Sequence, residues 1–188
     1  LGPRLRAAQD VPDLDLLFAP VKKARTDFIV EKATELGVRR IRPVMTRFTQ
    51  AERVRTDRFQ ALAKEAAEQT ERLDIPEIFE AEALDRVLDG WDESRTLIYC
   101  DEAGDNPDAQ WGGETGRAGP ALEVFRSLRD GSAAILIGPE GGFSPEERER
   151  LRSLSFVRAI SLGPRILRAD TAAVAALTLW QAVCGDWA

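Results

Sequence analysis

This 188-residue sequence predicts an α/β fold, a mostly parallel sheet flanked by helices. Three observations predict it. Short apolar runs of strand length, at residues 14–19, 96–100, 133–137 and 157–162, alternate with segments of helical period, the pattern of strand–helix–strand units. Two of these runs end in a Gly-Pro step, Gly138-Pro139 and Gly163-Pro164. Proline has no N–H to give to a ladder and fixes φ, so each step ends its strand and turns the chain. Between them, Ser144-Pro145-Glu146-Glu147 reads as a helix start: a capping serine, a proline at the first helical position, and Glu147 placed to complete a capping box. Residues 135–171 therefore read strand, Gly-rich loop, helix, strand, Gly-rich loop, helix. Two such loops at the carboxyl ends of neighbouring parallel strands are where open α/β sheets bind ligands.

The other elements follow in chain order. Residues 1–12 carry Pro, Arg and Ala without periodicity and read as a linker. The run 14–19 ends at Pro20 as the first strand, and Val21-Lys22-Lys23-Ala24-Arg25 follows as a basic loop. Thr26 is placed to cap a helix over 27–36, with Ile29, Ala33 and Leu36 on one face and Gly37 closing it. Residues 38–45 form a second strand, which Pro43 places near an edge or at its end. From Thr56 or Asp57 through Arg72 the stripe Phe59, Leu62, Ala63, Ala66, Thr70 predicts a long helix, with Gln69 beside the stripe in a packing, hydrogen-bonding or substrate role. A short strand at 75–79 and a short helix carrying Leu84, Val87 and Leu88 precede the buried strand 96–100. Residues 101–120 are rich in Gly, Asp, Asn and Pro and form a long loop, in which Trp111 has no evident place. Residues 122–128 form a helix leading to the strand at Ala133. The last element, 170–184, is apolar nearly all round, so it must be buried on most sides.

Composition narrows the chemistry. A hydrophobic share of 44% with 31% charged residues fits a globular protein. No apolar run approaches the roughly 18 residues of a membrane span, and no basic, apolar leader opens the chain, so a cytoplasmic protein without a membrane partner is expected. The absence of histidine removes the commonest general base and metal ligand and excludes hydrolase triads built on it. Cys100 and Cys184 are far apart and read as core thiols, with no spacing for a metal site. No Gly-x-Gly-x-x-Gly follows a strand, which argues against a nicotinamide dehydrogenase. The net charge of −6 is unevenly spread: residues 1–58 hold 13 Lys and Arg against 8 Asp and Glu, the remainder 13 against 24. That basic first third is either a face for phosphates or a solvated surface.

Leu136-Ile137-Gly138-Pro139-Glu140-Gly141-Gly142-Phe143, followed one helix later by Leu162-Gly163-Pro164-Arg165-Ile166-Leu167-Arg168, resembles the paired signature of the ribosomal RNA small subunit methyltransferase E family. Lys32-Ala33-Thr34-Glu35-Leu36-Gly37 and Ala66-Ala67-Glu68-Gln69 extend the likeness over most of the chain. The resemblance implies a SPOUT-class fold with a C-terminal trefoil knot, one of the rare exceptions to unthreaded chains. It implies S-adenosylmethionine as cofactor and methylation of N3 of a uridine in 16S ribosomal RNA of the small subunit, by a homodimer. Family members carry a small β-barrel RNA-binding domain, resembling the PUA fold, ahead of the catalytic one. On this basis residues 1–12 are a linker or a remnant of that missing domain, and 13–188 are the methyltransferase domain.

The likeness also assigns roles. Gly138, Pro139, Gly141, Gly142 and Gly163 offer bare backbone to the cofactor. Leu136, Leu162, Ile166 and Leu167 flank its adenine, and Thr171 bonds a polar edge. Arg165 and Arg168 stabilise charge on the uracil oxygens or hold phosphate, and Glu140 accepts the N3 proton. A structural salt bridge among those three is the competing reading. Asp170 stands where the family more often has Glu. Lys22, Lys23, Arg25, Arg42 and Arg47 of one subunit are expected to hold RNA near the other subunit's Arg165 and Arg168. The alternatives are another SPOUT RNA methyltransferase, or a non-catalytic RNA-binding or assembly factor of the same fold.

Overall fold

The computed structural model describes residues 11–51, 54–101, 118–128 and 132–188. Most of the linker expected at 1–12 and of the loop expected at 101–120, Trp111 included, lies outside the described residues. In chain order the elements are β1 (Leu14–Phe18), α1 (Lys23–Glu35), β2 (Arg40–Met45), α2 (Thr56–Gln69), β3 (Glu77–Ile78), β4 (Glu82–Ala83), α3 (Leu84–Asp89), β5 (Thr96–Cys100), β6 (Gly119–Pro120), α4 (Ala121–Ser127), β7 (Ala133–Ile137), α5 (Pro145–Ser153), β8 (Val157–Ser161) and α6 (Ala169–Cys184).

Every strand pairing among the described residues is parallel, in the order β3-β2-β1-β7-β5-β8-β6, with β4 also on β2. Parallel strands are covered on both faces and read as continuous apolar runs; accordingly β1 and β7 are buried at every position. Side chains alternate across the sheet. Leu14, Leu16 and Phe18 of β1 join Ile135 and Ile137 of β7 under α1, α2, α4 and α6. Leu17, Leu97, Tyr99 and Leu136 face the other way, with α3 and with Leu151 of α5. The architecture is three layers, helix on sheet on helix.

Several local expectations differ from what forms. β7 and β8 are not neighbours: β5 lies between them and pairs with both. α1 begins at Lys23, because the amides of Arg25 and Thr26 already turn back to the Lys22 carbonyl. Thr26 is consequently buried inside the helix, and its hydroxyl bonds the Val21 carbonyl at 3.0 Å. α2 stops at Gln69, and the chain turns at Glu71 with φ of 55°. Pro43 is not at a sheet edge; it falls between the short partners β3, on Arg40 and Ile41, and β4, on Val44 and Met45. β6 forms from Gly119-Pro120, where only loop is expected. Ser144 closes the expected capping box with Glu147 at the start of α5. No helix among the described residues is long and apolar enough to cross a membrane.

Asp15 is a charged residue in the middle of the sheet, 2% exposed. Arg40 bonds it at 2.8 Å, and Arg95 approaches at 3.5 Å while also binding Asp13. Three strands are thereby tied at their amino ends. Replacing Arg40 by Met removes the closer partner of a buried carboxylate and should lower the unfolding free energy by about 3 kcal/mol in urea titrations. Acid should act in the same direction. Hydrogen bonds from Arg58 and Arg72 hold Asp27 and Asp74 below the ordinary carboxylate range despite burial. Their contribution is complete above the unfolded value of about 4 and is lost as pH falls through the lower folded value. Melting temperature measured at descending pH should drop first in that window.

Candidate active site

Parallel strands bring all their carboxyl ends to one edge, and there β1, β5, β7 and β8 deliver their loops around a cavity of about 520 Å³. Gly138, Pro139, Glu140, Gly142 and Phe143 form one wall after β7; Leu162, Gly163 and Arg165 to Arg168 form the opposite wall after β8. Cys100 and Asp101 close the end of β5, and Lys22 and Arg25 come from the start of α1. The lining is apolar where Ile137, Ile160, Leu167 and Ala172 meet, and cationic around it. Among the described residues no His, Cys, Asp and Glu cluster is able to hold a metal ion.

Two glycines are required by this geometry. A Cβ on Gly138 would lie 2.9 Å from the Phe143 ring, which packs directly on the turn and meets Tyr99 edge-on at 5.8 Å between centroids. Gly163 has φ of 109°, a conformation open to glycine and strained for other residues. Behind the cavity wall, the Tyr99 hydroxyl donates to Asp101 at 2.9 Å, and Arg152 binds the same carboxylate at 2.7 Å. Arg148 stands 3.2 Å from the other oxygen of Asp101 and itself lines the cavity. Burial, with the Asp101 charge, raises the Tyr99 pKa and keeps the phenol a proton donor. Glu147 does two jobs: one oxygen completes the Ser144 cap at 2.9 Å, and the other accepts the Arg47 amide at 2.7 Å. That second bond fastens the loop after β2 to the first turn of α5.

Of the residues expected from sequence, Gly138, Pro139, Leu162, Gly163, Ile166 and Leu167 line this cavity, with Glu140, Arg165 and Arg168. Glu140, Arg165 and Arg168 are exposed and form no salt bridge with one another. Gly141 and Lys23 instead border an adjoining cavity of about 380 Å³, which shares Lys22, Pro139 and Glu140 with the first. The Leu136 side chain points to the opposite face of the sheet, fully buried. Thr171 is exposed outside the lining, and its amide is taken by Asp170 at 2.9 Å. Asp170 also pairs with Arg25. Arg47 is exposed, held by its backbone. Arg42 is not brought to the site: it stacks on Phe79, 4.5 Å from the ring centroid, and faces Trp91. Gln69 lines neither cavity. Cys100 and Cys184 form no disulfide, and burial raises the pKa of Cys184.

Asp101, Arg148 and Phe48 are absent from the sequence-based set. Asp101 directly follows the β5 run and Arg148 lies one helical turn past Ser144, so their positions were readable, but their convergence depends on strand order. A substitution tests the packing. Gly138→Ala must displace the Phe143 ring from between Gly138 and Tyr99 and should lower stability by about 1–3 kcal/mol. Gly141→Ala, whose Cβ would sit 3.3 Å from that of Phe48, should cost less in the same thermal melts.

A model of the RNA methyltransferase domain family matches residues 9–181. Ribosomal RNA small subunit methyltransferase E of Rickettsia conorii is 33% identical over 164 residues, 87% of this chain and 62% of that protein. The chain thus spans less than two thirds of this curated relative's length. The structure of Ribosomal RNA small subunit methyltransferase E from Neisseria gonorrhoeae, bound to S-adenosyl methionine, superposes with a TM-score of 0.77 at 26% identity, over 96% of this chain and 70% of that one. The SpoU methyltransferase AviRb from Streptomyces viridochromogenes shares the fold alone, with a TM-score of 0.54 at 19% identity, over 93% and 63%. The strand order, the paired Gly-Pro loops and these likenesses agree, and the chain belongs to the RNA methyltransferase domain family.

Proposed function

We propose that this protein transfers the methyl group of S-adenosylmethionine to N3 of a uridine in 16S ribosomal RNA of the small subunit. The observation that carries the reading is the cavity between the two Gly-Pro loops. Its volume lies within the range of small-molecule sites, about 300–1,000 Å³, and its apolar patch beside bare glycine backbone suits an adenosine. Leu162, Ile166 and Leu167 would flank the base, Gly138 and Gly163 would admit the chain's closest approach, and Arg148 would meet the amino-acid carboxylate. The bound cofactor supplies a methyl group already activated on a positive sulfur.

What remains for the protein is alignment and one proton. The N3 lone pair forms the new N–C bond as the S–C bond breaks with its electrons on sulfur, and the N3 proton passes to Glu140. Arg165 and Arg168, exposed on the wall opposite Glu140, stabilise the charge that grows on the ring oxygens. Such positioning is worth on the order of 7–11 kcal/mol, so the lack of histidine is no obstacle.

The reading includes the knot and homodimer that the family likeness implies. α6 supports a dimer: Ala172, Ala173, Ala176, Leu177 and Trp180 are buried, whereas Val174, Ala175, Leu179 and Val183 are only half-buried. A second copy laid on that stripe would complete its burial.

Three experiments test the reading. Undermethylated small subunits incubated with labelled cofactor should gain label at uridine N3; label on a ribose or a purine would assign a different RNA methyltransferase, and none would leave a binding factor. In calorimetric titration, Gly163→Val should weaken cofactor binding about tenfold or more through backbone strain, since no atom lies within 4 Å of the added Cβ. Light scattering should give twice the chain mass; an active, stable monomer would refute the dimer.

A further inference from the structure

We propose that the second cavity receives the target base itself, flipped out of the RNA and stacked on Phe48. The inference rests on the reading above, that the chain methylates a uridine in RNA, and adds where that uridine sits. The two cavities share Lys22, Pro139 and Glu140. A base in the second cavity would therefore face the cofactor across the shared Lys22, Pro139 and Glu140. At about 380 Å³ the space suits one nucleoside and cannot admit a duplex, and enzymes that modify a base edge take the base out of its stack.

Phe48 is built as a platform. It is 43% exposed, although Phe59 in the same lining is 4% exposed. A closed turn holds it there: the Thr46 amide donates to the Thr49 hydroxyl at 2.9 Å, the Thr49 amide to the Thr46 carbonyl at 3.2 Å, and the Arg47 amide to Glu147 at 2.7 Å. Its Cβ rests on Gly141, where a side chain would intrude at 3.3 Å. An aromatic ring kept in water on a fixed turn is a surface for a base's π face.

The charges fit a nucleotide. Lys22 and Lys23 are exposed and form no salt bridge among the described residues, whereas Arg55 and Arg58 of the same lining are paired with Asp57 and Asp27. Lys23 is placed for the backbone phosphate. At the junction, Glu140 accepts the N3 proton of uracil while Lys22 faces a neighbouring carbonyl oxygen. Cytosine, whose N3 carries a lone pair, would meet the carboxylate in repulsion, so the same two residues select uracil.

The test is a binding measurement with saturating S-adenosylhomocysteine. The probes are a short labelled single-stranded RNA with one central uridine and the same RNA abasic at that position, read by fluorescence anisotropy. The wild-type protein should prefer the uridine strand about fivefold or more. Phe48→Ala should erase the preference and Phe48→Tyr should keep it, with S-adenosylhomocysteine affinity unchanged in both. Equal binding of the two strands by the wild type, or a preference that survives Phe48→Ala, overturns the proposal. So does loss of a dimer on Phe48→Ala, which would assign this face to a second copy. If the proposal falls while the wild type still methylates small subunits, only the pocket is lost. A Phe48-dependent preference without any methyl transfer would uphold the pocket and sink the functional reading.

Discussion

Everything at the site depends on β5 lying between β7 and β8. Neighbouring strands in a sheet are about 4.8 Å apart, so the loops leaving β7 and β8 are held roughly 10 Å from each other, with the end of β5 between them. Adjacent strands would press the two Gly-Pro turns together and leave no room for a ligand. The chain reaches this arrangement by carrying α5 across β5, with buried Ile98 level with buried Ile135 on one side and with exposed Arg158 on the other. A slip of one residue would turn the Ile98 face of β5 outward and the Tyr99 face inward, breaking the Tyr99–Asp101–Arg152 contacts that close the cavity behind Phe143.

What the sequence makes legible are interactions that span a few residues. The Ser144 capping box, the two Gly-Pro stops, the wholly apolar β7 and the largely apolar β1 are each written in consecutive letters, and each forms. Apart from Thr26, where a neighbouring turn decides the outcome, the failures are contacts between distant segments. Thr26 looks like a cap, but the turn that starts α1 is closed earlier by Lys22, and Thr26 is drawn inside. Pro43 looks like an edge marker, yet two short strands divide the outer side of β2 and leave it a gap. Arg42 is counted among the basic residues near Arg47 in sequence, although its guanidinium is consumed by Phe79 and Trp91 on a different part of the surface. Phe48 gives no periodic signal at all, since its exposure comes from a turn fastened to Glu147, 100 residues away.

The same distinction explains how an acidic protein can present a basic site. Many of the other arginines are neutralised: Arg40 and Arg95 by Asp13 and Asp15, Arg72 by Asp74, Arg150 by Asp85 and Asp89, and, in the lining of the second cavity, Arg58 by Asp27. Lys22, Lys23, Arg165 and Arg168 carry no such partner among the described residues, and they surround the two cavities. Because charges beyond about 10 Å are screened at moderate salt, a polyanion close to this mouth responds to those four and little to the acidic remainder. Net charge, averaged over the whole surface, hides that pattern.

The loop architecture also decides how little chemistry the side chains must supply. A sulfonium methyl needs a nucleophile in line and water kept away, and both requirements are geometric. The parts that would satisfy them are rigid for identifiable reasons: Gly163 because its φ admits no other residue without strain, Phe143 because it is wedged between Gly138 and Tyr99, and Phe48 because three hydrogen bonds close its turn. Glu140, by contrast, is exposed on a tight turn between two cavities and, among the described residues, is the only acidic side chain common to both. A rigid frame with a solvent-accessible carboxylate at the junction suits the proposed removal of a proton from a weak acid: the frame would set the angle of attack, and the carboxylate would pass the proton on to water.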